Sequence, residues 1–182
     1  MRDENKCDRM VAFGNELPKI RRRVNKDLAP PGLPRNKALA TVVQLLERTF
    51  IRVGNEAYAR ENKSFGLTTM QDRHVDVKGS PLRFRFRGKR GIKHQIDLTD
   101  RRIAKIVSKS QDLPGQELFQ YIDNEGEVRD ITSQDVNDYL RGVTGQDFTA
   151  KDFRTWAGTV LAAMTLSVLD PFQNKETDQG QH

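Results

Sequence analysis

Apolar residues recur at helical spacing over most of this chain and switch to strict alternation over one stretch near its middle. Residues 3 to 28 read as helix, with Met10, Val11, Phe13, Leu17 and Ile20 loosely periodic and Pro18 a break. Pro30, Pro31, Gly32 and Pro34 then make a stop and a loop. From Asn36 a cleaner helix follows, because Leu39, Val42, Val43, Leu46 and Phe50 fall at i, i+3, i+4, i+7 and i+11. A short helix is predicted from Gly54 to about Asn62.

Between Leu67 and Leu98 the period becomes two, which predicts strands at 74–78, 82–87 and 92–98 in an antiparallel meander. Gly79-Ser80 and Gly88-Lys89-Arg90-Gly91 are the turns. Ile92, His94, Ile96 and Leu98 share one face of the last strand, so His94 is expected in the core. Residues 100 to 110 return to helix, with Ile103, Ile106 and Val107 inward and Arg101, Arg102, Lys105 and Lys109 outward. Thr132-x-x-Asp135 and Thr149-x-x-Asp152 carry capping signatures. The first opens a helix bearing Val136, Tyr139 and Leu140 that ends at Gly142 or Gly145. The second opens a helix whose stripe of Phe153, Trp156, Ala157, Val160, Leu161 and Met164 predicts a central core element. After Leu169 the chain is polar and aperiodic, which predicts a disordered tail over 170–182. The expected fold class is α+β: one mostly helical domain over 1–169 with a small three-stranded antiparallel meander.

Charge changes the picture at one place. In Leu82-Arg-Phe-Arg-Phe-Arg-Gly-Lys89, apolar Leu82, Phe84 and Phe86 alternate with Arg83, Arg85 and Arg87, so one strand face is greasy and the other carries guanidinium. Residues 78 to 109 hold eleven Lys or Arg against two acids, Asp97 and Asp100, a local charge of +9 in a chain whose total is +6. The positive potential therefore belongs to one region, as expected of a chain that binds a polyanion, and the obvious polyanion is nucleic acid.

The remaining bulk properties set bounds. At 182 residues the chain makes one good-sized domain or two small ones. A lone cysteine, Cys7, forms no internal disulfide, fits a reducing compartment and is expected as a small buried or half-buried side chain. No apolar run approaches the ~20 residues that span a bilayer, and the first residues have no apolar signal region. A soluble, cytoplasmic, nucleoid-associated monomer without membrane contact is the expectation. His74, His94 and His182 have no partner at ligand spacing, so no metal is expected, and the absence of a phosphate-cradling glycine loop points to no nucleotide cofactor.

Two arginines invite chemistry. Arg52 opens a polar turn, Arg52-Val-Gly-Asn-Glu-Ala-Tyr58, where a guanidinium and a phenol could face one phosphate. Arg154 sits in the first turns of the last helix, off its apolar stripe, with Lys151 one turn before it. Taken singly, each reads as a solvated or capping side chain, and Lys89 as polar turn filler.

Three segments together resemble the catalytic domain of type IB DNA topoisomerases, in the compact form shared by bacteria and poxviruses. They are Ile51-Arg-Val-Gly-Asn-Glu-Ala-Tyr58 with Gly66-Leu-Thr-Thr; Phe84-Arg-Phe-Arg-Gly-Lys89; and Lys151-Asp-Phe-Arg-Thr-Trp156. The similarity runs from about Arg2 to Met164. It implies relaxation of supercoils without ATP or metal, through a tyrosine that forms a 3′-phosphotyrosyl link to duplex DNA. It assigns Arg52 and Arg154 to the scissile phosphate and Lys89 to protonation of the leaving 5′-oxygen. Tyr58 and Lys151 would contact backbone phosphate, and Arg85 and Arg87 would bind DNA from the basic strand.

The resemblance also has departures. The family places a histidine and then the nucleophilic tyrosine some dozens of residues after the second arginine, and no tyrosine follows Arg154 here. Tyr58, Tyr121 and Tyr139 all precede it, and an N-terminal DNA-clamping domain has no counterpart. The expectation is a catalytic core cut at both ends, carrying three of five catalytic groups and inactive alone. Two alternatives stand beside it: a noncatalytic DNA-binding module, and a core like that of the tyrosine recombinases, which use a similar arginine, lysine and arginine logic.

Overall fold

The computed structural model describes residues 2–169. In chain order the elements are α1 (Arg2–Leu28), α2 (Arg35–Thr49), α3 (Glu56–Asn62), β1 (Val75–Val77), β2 (Pro81–Arg87), β3 (Lys93–Thr99), α4 (Arg101–Gln111), β4 (Gln120–Ile122), β5 (Val128–Asp130), α5 (Ser133–Thr144) and α6 (Ala150–Leu169). β1, β2 and β3 form an antiparallel meander and β4 and β5 a separate hairpin. This is the α+β class with a three-stranded meander that the periodicity predicts. The tail expected over 170–182 lies outside the described residues.

α2 is the central helix. Leu39, Ala40, Val42, Val43, Leu45 and Leu46 are all buried, and α1, α5 and α6 pack around them. Its backbone satisfies the buried hydroxyls, since Thr41 and Thr49 donate to the carbonyls of Lys37 and Leu45 at 2.8 and 2.6 Å. Lys37 is buried too, and its ammonium donates to the Pro30 carbonyl at 2.6 Å.

Pro18 does not break α1, which runs unbroken through it to Leu28. The ring costs a hydrogen bond to the carbonyl four residues earlier, at Gly14. Buried Phe13, Leu17, Ile20, Val24 and Leu28 on both sides of Pro18 hold the helix together through packing. Gly14 also lies against α6: a Cβ there would sit 2.6 Å from the Trp156 ring. Phe13 meets Phe148, Phe153 and Trp156 edge-on, with centroids 5.4, 5.0 and 6.3 Å away.

Four other expectations need correcting. Cys7 is exposed, because the first turns of α1 extend past the core. Phe50 is not the last helical position: α2 ends at Thr49 and Phe50 is a left-handed cap, φ 59°, with its ring half in solvent. α6 is central only at its start. Asp152 and Phe153 are buried, but every residue from Gly158 to Leu169 is exposed, so the apolar stripe enters the core for its first turns alone. His94 is exposed as well, because its strand face runs beyond the core toward the hairpin tip, where Ile92 is also exposed.

Capping follows the sequence more closely. Thr132 and Asp135 form a reciprocal box at the start of α5, and Gly145 ends that helix in the left-handed region. At α6 the Asp152 carboxylate accepts from the Thr149 backbone N–H at 2.9 Å. Arg9 of α1 then binds the same carboxylate through two bonds of 2.9 Å, which ties the first turn of α6 to α1.

Candidate phosphate site and nucleic-acid interface

The segment after α2 is the first wall. Ile51 is buried and the backbone then runs extended past Arg52 and Val53, where their carbonyls accept from the N–H groups of Leu67 and Thr68 at 2.9 and 2.8 Å. The Thr68 hydroxyl adds a bond to the Val53 carbonyl at 2.7 Å. These contacts require a glycine at 66: a Cβ there would sit 2.4 Å from the Gly54 nitrogen and 2.7 Å from the Arg52 carbonyl oxygen. Gly66-Leu-Thr-Thr thus clamps the strand-like stretch that presents Arg52. Asn55 then caps α3 by accepting from the Tyr58 N–H, which leaves the Tyr58 phenol exposed.

The second wall is the first turns of α6. Arg154 is half-buried and its guanidinium donates to the backbone carbonyl of Phe50. Burial, and then the positive charge of Arg52, push the Arg154 pKa down, so the two guanidiniums lie close enough to repel. Among the described residues neither takes part in a salt bridge.

The third wall is the β2–β3 hairpin. Along β2, Leu82, Phe84 and Phe86 are buried while Arg83, Arg85 and Arg87 are exposed. The turn Gly88–Gly91 closes with a bond of 2.7 Å from the Gly88 N–H to the Ile92 carbonyl and places Lys89 at its tip. His94 packs against the backbone of Gly88, where a Cβ would lie 2.7 Å from the imidazole, and its ring stacks on Phe86 at 5.2 Å.

Arg52, Lys89 and Arg154, 102 positions apart from first to last, line the same two clefts. The larger cleft, about 540 Å³, also takes in Tyr58 and Lys151. The smaller, about 350 Å³, adds Phe50, Phe86 and His94. Among the described residues no acidic side chain lines either. Clustered cations with no counter-charge favour an anion, and two guanidinium forks with an ammonium suit the oxygens of a phosphate.

Arg85 and Arg87 lie elsewhere, in a neighbouring groove. Arg83 is not free for a ligand: it binds Asp97, its partner across the strands, at 2.8 and 3.2 Å. That hydrogen bond holds the Asp97 carboxyl below its ordinary range. Among the described residues no cluster of His, Cys, Asp and Glu is placed to hold a metal, and no helix is long and apolar enough to cross a membrane.

The other tyrosines are engaged in the fold. Tyr139 donates to Asp27 at 2.7 Å, and burial pushes its pKa far up. Tyr121 lies in β4 opposite Arg129 and packs against the core. Neither lines the clefts.

The sequence matches the family described as the eukaryotic DNA topoisomerase I catalytic core, along residues 1–182. The chain belongs to that family. Among similar proteins, DNA topoisomerase 1B of Acanthamoeba polyphaga mimivirus is 28% identical over 162 residues, covering 87% of this chain and 48% of the viral protein. DNA topoisomerase 1B of Vaccinia virus (strain Copenhagen) is 27% identical over 118 residues, 64% of this chain and 38% of that one. The chain thus spans about half or less of the length of these relatives. A crystal structure of the XerH site-specific recombinase bound to difH substrate, a pre-cleavage complex, superposes with a TM-score of 0.51 at 12% identity, over 82% of this chain and 42% of that one. At that identity the likeness shows a shared fold. In this topoisomerase I core the residue that sequence periodicity missed is His94, since alternation gives the face of a strand but not how far the core extends beneath it.

Proposed function

We propose that this chain binds duplex DNA and holds one backbone phosphate among Arg52, Lys89 and Arg154, as the phosphate-gripping part of a type IB topoisomerase. The observation that carries this reading is the convergence of three cations from remote segments on clefts that no carboxylate of the described residues lines. Membership in the topoisomerase I core family supports it. In the chemistry proposed, a tyrosine oxygen attacks phosphorus, the bond to the 5′-oxygen breaks, and Lys89 passes a proton to that oxygen. The 3′-phosphotyrosyl link is later opened by the same 5′-hydroxyl, and the strand is resealed. Charge gathers on the nonbridging oxygens at the five-coordinate stage, where Arg52 and Arg154 stabilise it. Losing one such preorganised donor commonly costs about 10²–10³ in rate.

None of Tyr58, Tyr121 and Tyr139 is the proposed nucleophile. Tyr58 and Lys151 both line the larger cleft and read as backbone-phosphate contacts. The recombinase reading draws on the similar arginine, lysine and arginine logic and on fold likeness, whereas the family match supports the topoisomerase reading.

The test is a titration of the purified chain with labelled duplex DNA over a range of salt. Binding with weak sequence preference is expected, with log Kd against log salt changing by about 0.9 for each phosphate neutralised. Absence of binding at low salt would overturn the reading.

A further inference from the structure

Lys89 stands at the tip of an exposed turn, and no salt bridge among the described residues holds it there. Its direction is therefore set by the turn. Arg90, the next residue, sits in the left-handed region at φ 62°, which a residue other than glycine keeps only where its surroundings impose it. Backbone bonds supply part of that support. The Gly88 N–H donates to the Ile92 carbonyl at 2.7 Å, the Gly91 N–H to the Gly88 carbonyl at 3.0 Å, and the Phe65 N–H to the Arg87 carbonyl at 2.8 Å.

A ring supplies more. His94 faces Phe86 across the strands and stacks on it at 5.2 Å, with the two planes 24° apart. The imidazole edge bearing Cδ2 and Nε2 lies over Gly88, where a Cβ would come within 2.7 and 2.8 Å of those atoms. Gly88 is buried there, although Arg87 and Lys89 on either side of it are exposed. Gly88 has φ −98°, which any residue adopts, so its missing side chain makes room for the ring and not for the backbone. Arg87 lies against Gly91 from the other side of the turn, but a long arginine has many rotamers to lose and a stacked imidazole few, so His94 is the stiffer support.

We propose that His94 is a positioning residue for Lys89: packed on Phe86 and Gly88, its ring fixes the turn so that the ammonium faces the phosphate held by Arg52 and Arg154. The proposal rests on the phosphate reading above. His94 lines the smaller cleft together with Arg52, Lys89 and Arg154, so a sway of the turn would carry Lys89 away from the two arginines. Holding the ammonium in place before the anion arrives removes an ordering cost from binding. A direct donor role for the imidazole fits the contacts less well, because Nε2 is turned onto Gly88 and one ring face onto Phe86. A stacked ring pair shifts a local equilibrium by roughly 2- to 12-fold.

His94→Ala, His94→Phe and Gly88→Ala test this, each checked for native circular dichroism. Amide exchange at Gly88 and Gly91, followed by NMR without DNA, reports the turn, and titration with duplex reports the phosphate grip. His94→Ala and Gly88→Ala are each expected to speed exchange by roughly 2- to 12-fold and to weaken duplex binding by a similar factor. Combining the two should be no worse than either alone, because without the ring the added Cβ meets Phe86 at 3.6 Å, an ordinary contact. His94→Phe keeps the stack and should keep both properties. In a chain already carrying Lys89→Gln, His94→Ala should cost less than about twofold in affinity, which shows that it acts through Lys89. A parent chain that binds duplex while exchange is unchanged in His94→Ala sinks the positioning role alone. A parent chain that binds no duplex sinks the phosphate reading and the role with it. If His94→Phe restores exchange but not binding, or His94→Ala costs as much in the Lys89→Gln chain, the imidazole itself meets the anion and the positioning role is overturned.

Discussion

Arg154 donates a hydrogen bond to the backbone carbonyl of Phe50, a residue 104 positions earlier and two before Arg52. The bond joins the start of the last helix to the end of the central one, so the fold sets the spacing between the two guanidiniums. Left-handed Phe50 makes it possible, because the cap turns the chain out of α2 at the point where Arg154 approaches.

Gly66→Ala tests the clamp under Arg52. The added Cβ would meet the Gly54 nitrogen at 2.4 Å, backbone that cannot move without shifting the Arg52 segment. Overpacking of this kind costs roughly 1–3 kcal/mol, which for a chain of this size lowers Tm by about 3–10 °C. Thermal melting checks the stability, and duplex affinity is expected to fall with it.

Local structure was more legible in the sequence than this clamp, whose Gly66-Leu-Thr-Thr segment entered only through the resemblance. The capping box of α5, the meander and helix α2 follow from spacing, because each is a local preference that the packing reinforces, but that α2 and not α6 is the central helix does not. The three cations were legible only by resemblance: nothing near Arg52, Lys89 or Arg154 in the chain says that they meet. Depth was illegible as well. Val160, Leu161 and Met164 have the spacing of a core stripe yet are exposed, and His94 has the parity of Ile96 yet reaches the cleft. Periodicity orients a face, and only the tertiary arrangement says what lies against it.

His74 gives the chain a pH dependence. Its Nδ1 accepts from the Gln71 N–H at 2.9 Å, and burial, assisted by Arg73, lowers its pKa from 6.5 to about 4. The unfolded chain therefore binds this proton more readily than the folded one. The stability from keeping His74 neutral is present above pH 6.5 and is lost as pH falls toward 4, up to about 3 kcal/mol. Urea titrations between pH 7 and 4 are expected to show this loss, and His74→Gln to flatten it.

These 182 residues alone are expected neither to relax supercoiled plasmid nor to form a covalent adduct with DNA. Tyr139 and Tyr121 are held by a hydrogen bond and by packing, Tyr58 is the residue proposed above as a backbone-phosphate contact, and water lacks the positioning that makes in-line attack fast. Relaxed topoisomers on a gel, or a DNA-linked band after denaturation, that vanish with Tyr121→Phe or Tyr139→Phe would identify a nucleophile and refute this.

The shared grip on one phosphate is tested most directly by duplexes in which single phosphates are replaced, one position at a time, by neutral methylphosphonate. The parent chain should show one position where neutralisation weakens binding most, by about tenfold or more, as expected for loss of charge-assisted bonds to two guanidiniums. In a chain carrying Arg52→Gln and Arg154→Gln that peak should disappear while the penalties at other positions remain. A flat profile in the parent chain, or the same peak in the variant, would contradict the account.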